Sequence, residues 1–407
     1  MEPSRGKSLC VPFDSEEHYA ACVADPESFR QHLTEVFGQH PELFPARMSE
    51  GFVLHDKRWS IKQQVMLRRL ERKATAEVFL VRPSFLMPSM VGRTEAVEKA
   101  LSLRHWGVPF DALVSVFGRD AMDWYRAELA LGRPPIVGST VKQPEKLPAH
   151  VLADEKHTWA LGQEVYVATT VGGGCILGAT VTDAASADAL EAAYGAFAQE
   201  AHALSPTSSP KTVCTDGWEG TQSAWRRLFP TGGILLCFLH SVLKIAERCG
   251  RDRATRTLVL DRVWAVYDSC TRAQCSQRLR RLREWATAGL PEGALRQMVL
   301  TRCGKGPQCA RASRFPGAHR TSNALDRLMN HQDRRLYAMR SLHGTPDAAR
   351  LAMRAMALQW NFHPYGARTR RADPTRRSPF HDLNGFEYHP NWLHNLLIAS
   401  SMGGRKL

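Results

Sequence analysis

His150-Val151-Leu152-Ala153-Asp154 is a short apolar run that stops on a carboxylate, and it reads as a β-strand ending on an acid. Two more β-rich runs follow, Val165 to Val171 and Ile176 to Val181, with Gly172-Gly173-Gly174 as the turn of a hairpin. No Gly-Lys-Ser/Thr follows those glycines, so they do not form a phosphate loop. Farther on, the spacing predicts a helix from Ala185 to about Leu204 and a strand from Lys211 to Cys214 that leads into Asp216. A helix across Gln222 to Leu228 and a strand from Ile234 to Phe238 complete the series.

Three antiparallel strands, a helix, a parallel strand, a helix and a last strand are the order of an α/β, ribonuclease-H-like core. Such a core needs a late helix that returns a third acid to the sheet. Upstream, Pro134, Pro135, Gly138, Pro144 and Pro148 read as a linker. Before it, three helices are expected: one carrying Val97, Ala100 and Leu101 and stopped by Gly107, one from Ala112 to Phe117, and one from Asp120 onward. They make either a helix-turn-helix module, with Arg119, Trp124 and Arg126 on or beside the groove-entering helix, or an ordinary three-helix bundle. Residues 1–88 read as mostly helical, including a basic helix-like run from Lys62 to Lys73.

Downstream of the sheet, the segment from Arg251 to Arg314 carries fourteen Lys/Arg against five Asp/Glu. It is either a helical insertion lining a DNA channel or a solvated helical surface. Trp264 and Trp285 lie within it, as core residues or as platforms for an unpaired base. Near the C-terminus Arg368, Arg370, Arg371, Arg376 and Arg377 form a basic tract, and Trp392 to Ile398 reads as a docking helix. The expected units are thus 1–88, a helical region; 89–147, a helix-turn-helix-like module and linker; 148–240, the first part of the core; 241–320, the insertion; 321–366, the rest of the core; and 367–407, a basic tail.

The chain has 407 residues, 43% of them hydrophobic and 23% charged, enough for a buried core in two or three units. Its formal charge of +14 favours a polyanionic partner. Ten cysteines at irregular spacings suit reduced thiols better than a disulfide scaffold. No run of about 18 apolar residues is present, so a cytoplasmic, nucleoid-associated protein without a membrane partner is expected.

Asp154, Thr215-Asp216-Gly217, Leu236-Cys237-Phe238-Leu239-His240 and Thr321-Ser322-Asn323-Ala324-Leu325-Asp326 occur in that order, with a helical segment before the last. This succession resembles the Mutator-type superfamily of DDE transposases, which includes transposases of bacterial insertion sequences, over roughly residues 150 to 345. The resemblance implies a DNA transposase that binds transposon ends as a homo-oligomer, frees a 3′-OH by metal-dependent strand cleavage and joins it to target DNA. Asp154, Asp216 and Asp326 would be the catalytic acids and would hold two Mg²⁺ or Mn²⁺ ions about 4 Å apart. Cys237 and His240 would support the site.

The family's third acid is normally Glu, whereas no Glu lies between Glu292 and Glu387, so Asp326 takes the motif position. Asp333, on the same helical face, is the fallback ligand, and Glu155 is the alternative to Asp154. Read without the resemblance, Asp326 is a first-turn acid favoured by the helix dipole, Asp216 begins an Asp-Gly turn, and Cys237 with His240 is half of a zinc site or a core Cys and capping His. The competing functions are a nuclease of the same fold and a domesticated or inactive copy that only binds DNA.

Overall fold

In the computed structural model, which describes residues 8–88, 90–305 and 311–404, the chain is mixed α/β with two sheets. The first unit holds strands β1 (Ser8–Val11), β2 (Phe52–Ser60), β3 (Val65–Arg72) and β4 (Glu77–Pro83), in the order β1-β4-β3-β2 with β1 and β4 parallel. Helices α1 (Glu16–Ala24) and α2 (Pro26–Gln39) belong to it. Ser15 caps α1 by accepting from the His18 amide at 3.1 Å, and the Asp25 carboxylate caps α2 at Glu27 and Ser28. Tyr19, Phe29 and Leu33 from the helices and Leu70, Phe79 and Val81 from the strands are buried in one apolar cluster.

This corrects the expectation of a helical region over 1–88. The basic run from Lys62 to Lys73 is a hairpin turn and strand β3, not a helix. Its arginines disguise a period of two: Arg68, Leu70 and Arg72 are all buried on one strand face. The Arg68 guanidinium donates to the Val23 carbonyl at 3.0 Å over the Phe29 ring, and Arg72 lies over Phe79. Charged heads with apolar stems thus occupy core positions.

The three expected helices form as α3 (Thr94–His105), α4 (Phe110–Phe117) and α5 (Ala121–Leu131). The proline-rich linker does not. Ile136, Val137, Ser139 and Thr140 are buried in the short helix α6 (Ile136–Thr140), a packed element.

The second sheet contains β5 (His150–Ala160), β6 (Gln163–Gly172), β7 (Cys175–Thr182), β8 (Thr212–Thr215) and β9 (Gly233–Leu236) in the order β7-β6-β5-β8-β9. β5 pairs antiparallel with β6 and parallel with β8, and β9 runs parallel to β8. Helices α7 (Ala187–Leu204) and α8 (Glu219–Leu228) pack with the sheet through Leu190, Tyr194, Phe197 and Trp225 against Val151, Ala153 and Val213.

After β9 come α9 (Phe238–Arg248), α10 (Arg253–Tyr267), α11 (Arg272–Gly289) and α12 (Ala294–Gly304), which share a separate apolar cluster around Val259, Val263, Leu282 and Val299. The segment is helical, as expected, and its ends meet: the Phe238 amide donates to the Arg320 carbonyl at 2.9 Å. The chain then returns through α13 (Asn323–Ala338) and α14 (Pro346–Phe362). Gln332 of α13 donates to Thr169 of β6 at 3.1 Å, and Asn361 of α14 bonds both backbone polar groups of Ile176 in β7 at 2.8 Å.

A buried ion network joins α3, α5 and α13. Arg104 donates to Glu128 at 2.9 Å, and Arg335 pairs with the other Glu128 oxygen and donates to Gln359 at 2.8 Å. The chain closes with α15 (Ala367–Ala372), α16 (Pro379–Asn384) and α17 (Trp392–Ala399). Every residue of α17 is buried, as the docking helix expected from Trp392 to Ile398 requires, whereas Arg368, Arg370, Arg371, Arg376 and Arg377 before it are exposed. Ser401 just beyond it accepts from the Cys10 amide of β1 at 3.0 Å, and His394 bonds Ser84 at 3.0 Å and Glu95 of α3 at 2.7 Å. No helix among the described residues is long and apolar enough to cross a membrane.

Candidate functional site

Parallel pairing of β5 with β8 ends at Leu152 and Cys214, so Asp154 and Asp216 each lie two residues beyond the last paired position. Asp154 does not end its strand as expected. β5 continues to Ala160 because β6 pairs with it through Ala160↔Gln163, whereas β8 turns away after Thr215. Gly217, with φ +103, makes that turn, and the Asp216 carboxylate holds it by accepting from the Trp218 amide at 2.8 Å. Both carboxylates therefore lie where the sheet splits at the carboxyl ends of parallel strands, which is where open α/β sheets place their crevices.

The local field agrees with this geometry. Burial, and then the charges of Asp216 and Glu155, push the Asp154 carboxyl up to about 7. Glu155, on the opposite strand face, accepts from the Tyr194 and Thr221 hydroxyls at 2.7 Å each, and burial raises its pKa as well. With its oxygen bonded to two helices, Glu155 fits an anchor of α7 and α8 to the sheet.

Cys237 follows β9 and occupies the N-cap position of α9, which places His240 in the first turn. Hydrogen bonding from Cys214, and then from His240 and Ser322, holds the Cys237 thiol below its ordinary range. Proximity to Cys237, with smaller contributions from Asp154 and Asp216, lifts the His240 imidazole to about 9. His240 Nδ1 is nevertheless buried with no hydrogen-bond partner of good geometry.

Asp326 sits in the first turn of α13, near the same residues. Its carboxyl is raised by burial and responds to the charges of His240 and Cys237. Both of its oxygens accept from the Ser322 hydroxyl, at 3.1 and 3.2 Å, while Ser322 also contacts Cys237 Sγ through its amide at 3.2 Å and its hydroxyl at 3.3 Å. Ser322 is the bridge that sequence reasoning did not single out.

The hard oxygens of Asp154 and Asp216 suit Mg²⁺ or Mn²⁺, and a cation would relieve their repulsion. Asp326 does not complete the set in this arrangement. Among the described residues, no group of three or more His, Cys, Asp or Glu side chains could hold a metal ion, which leaves the zinc reading of Cys237 and His240 without partners too. Asp333 is about 10 Å along α13 from Asp326 by helical rise. It is paired with Lys156 of β5 at 2.5 Å.

The residues expected to touch DNA divide into two groups. Trp124 is 1% exposed and donates to the Gly118 carbonyl at 3.0 Å, so it is core rather than a DNA contact. Ala127, Glu128 and Leu131 of α5 are buried with it, which leaves Met122, Asp123 and Arg126 outward. Arg119 is exposed, stacks on Trp124 and donates to the Val91 carbonyl at 2.9 Å. Trp264 packs against Phe238 and Tyr267, and Trp285 lies under Arg262, so both help build the insertion's own core instead of offering open stacking platforms. Arg370 and Arg371 are exposed on α15.

A cleft of about 1520 Å³ opens beside the far end of β5, lined by Lys156, Trp159, Tyr337 and Arg340 among others. None of the three acids lines it. No protein-family model matches the chain, and no curated protein matches it.

Proposed function

We propose that this chain is a DNA transposase on a ribonuclease-H-like core, acting as a homo-oligomer on double-stranded DNA and using Asp154, Asp216 and Asp326 as its acids. The observation that carries the reading is the meeting of Asp154 and Asp216 at the split between parallel β5 and β8, in a sheet ordered β7-β6-β5-β8-β9. The first turn of α13, arriving beside Cys237 and His240, supports it further.

Bound Mg²⁺ or Mn²⁺ would supply an activated oxygen nucleophile and stabilise the leaving oxygen. The protein's own part is positional. Asp154 and Asp216 offer hard oxygens from the split between the strands, and His240, in the first turn of α9, is placed to meet a phosphate oxygen. Asp326 joins them on release from Ser322.

A second reading is an inactive, DNA-binding copy. It is favoured by one observation, that both Asp326 oxygens are taken up by Ser322. A labelled duplex from the gene's own flanks, incubated with Mg²⁺, separates the two. Cleavage with joining is expected, and Asp154→Ala, Asp216→Ala and Asp326→Ala should each lower cleavage by orders of magnitude while binding persists. Wild-type protein that binds but neither cuts nor joins is the copy of the second reading.

A further inference from the structure

The stretch from Lys57 to Leu70 contains five Lys/Arg and no Asp or Glu, and the chemistry above makes no use of it. In the fold it is the outer end of the β2–β3 ribbon, with β2 at the edge of its sheet. Three of the five cations are engaged within the unit: Lys57 and Arg68 donate to the Val23 carbonyl at 3.2 and 3.0 Å, and Arg69 pairs with Asp56. Arg58 and Lys62 are exposed.

Apolar side chains share that end. Trp59 is 50% exposed and Ile61 79%, and Met66, directly opposite Trp59 in register, is 36% exposed. The turn that carries them is fixed. The Gln64 amide donates to the Ser60 carbonyl at 2.8 Å with φ +51 at Gln64, and the Gln64 side chain donates to the Ile61 carbonyl at 2.7 Å. The Gln63 amide group anchors the turn to the Met90 carbonyl at 2.6 Å.

A rigid two-stranded ribbon whose tip is apolar, flanked by cations and free of acids, matches a polyanion with an apolar interior reached through a groove. Duplex DNA is such a partner, and groove-binding proteins wedge aliphatic side chains between its base steps. We propose that this ribbon end enters a groove of duplex DNA, with Arg58 and Lys62 on phosphates and Ile61 wedged between base pairs so that the duplex bends. The inference rests on the proposed function in taking duplex DNA as the substrate.

The test uses full-length protein and a duplex of about 30 base pairs with a fluorescent donor and acceptor at its ends, titrated at several salt concentrations. The double variant Arg58→Glu/Lys62→Glu should bind at least tenfold more weakly, with the slope of log K against log salt reduced by about 2. Ile61→Ser should bind but return the end-to-end transfer to that of free duplex. Circular dichroism verifies that both variants, which change exposed positions only, stay folded.

Unchanged affinity and slope in the double variant overturn the proposal, and so does unchanged bending with Ile61→Ser. Loss of a dimer in light scattering on Ile61→Ser, with DNA affinity intact, makes this end an interface between copies and also overturns it. Asp154→Ala protein should bind and bend like wild type. Wild-type protein that bends DNA in a ribbon-dependent way yet never cuts refutes the transposase and leaves the ribbon inference standing. Cleavage indifferent to the ribbon variants does the reverse.

Discussion

Three imidazoles are packed where α3, α13 and the end of α14 meet, and acid should pry that joint apart. His105 and His363 stack at 4.1 Å with 10° between their planes, and His331 lies 4.6 Å from His105 and 5.1 Å from Trp360. His105 Nδ1 and His331 Nε2 are buried without partners. The charged groups facing them are mostly cations: Arg334 and Arg335 of α13 toward His105, Arg334 toward His331, and Arg370 toward His363, which Glu98 of α3 opposes. Burial, and then Arg334, lower the His331 pKa from 6.5 to about 4.

The unfolded chain thus takes up this proton near pH 6.5, and the folded protein only near pH 4. Stability from this group is complete above 6.5 and declines as the pH falls toward 4. Between pH 7.5 and 4.5 the loss comes to about 2.5 kcal/mol for His331 alone, at about 1.36 kcal/mol per unit. His331→Phe keeps a ring in the stack and cannot be charged. Urea unfolding of both proteins at the two pH values should show the wild type losing about 2.5 kcal/mol more than the variant, because the carboxylates titrate alike in both. Equal acid losses, within about 0.5 kcal/mol, refute the reasoning.

Glu128→Gln should cost about 3–5 kcal/mol in urea unfolding, because it leaves the buried guanidinium groups of Arg104 and Arg335 without their counter-charge. Gly132→Ala should destabilise by about 1–3 kcal/mol despite the better helix propensity of Ala, since its Cβ would lie 2.1 Å from the Leu351 carbonyl oxygen and force α5 away from α14. Asp333→Asn breaks only a partly exposed pair with Lys156, so it should cost under about 1 kcal/mol and leave strand cleavage within twofold of wild type. A large loss of cleavage would make Asp333 the ligand instead of Asp326.

The elements between Thr94 and Leu131 and between His150 and Leu236 were legible because glycines, prolines and apolar spacing delimit them, as with the Gly173-Gly174 turn at φ +59 and +78. The first sheet was not, because Arg68 and Arg72 hold core positions and so imitate the polar face of a helix. The end of β5 was misplaced for a related reason. Glu155, Lys156 and His157 look like a loop, yet each has partners: hydroxyls for Glu155, Asp333 for Lys156 and Glu164 for His157. At the candidate site, Asp154 and Asp216 were legible as acids that follow apolar runs, although β5 continues past Asp154. The bond from Ser322 to Cys237 spans 85 residues, and no local pattern announces it.

That bond gives the insertion its bearing on the site. The chain leaves the core at Phe238 and re-enters at Arg320, and the two are tied by one backbone hydrogen bond. Directly behind it, Cys237 holds Ser322, and Ser322 holds both Asp326 oxygens. The neck of the helical segment and the Asp326 carboxylate are therefore consecutive links of one chain of contacts. Elsewhere α13 is pinned by Gln332 to Thr169 and by Arg335 to Glu128, while its first turn is held by the buried Leu325 and by the contacts of Ser322 with Cys237. On the proposed reading, a duplex lying across the arginines of this helical segment would bear on the contact between Cys237 and Ser322 before it reached the far turns of α13.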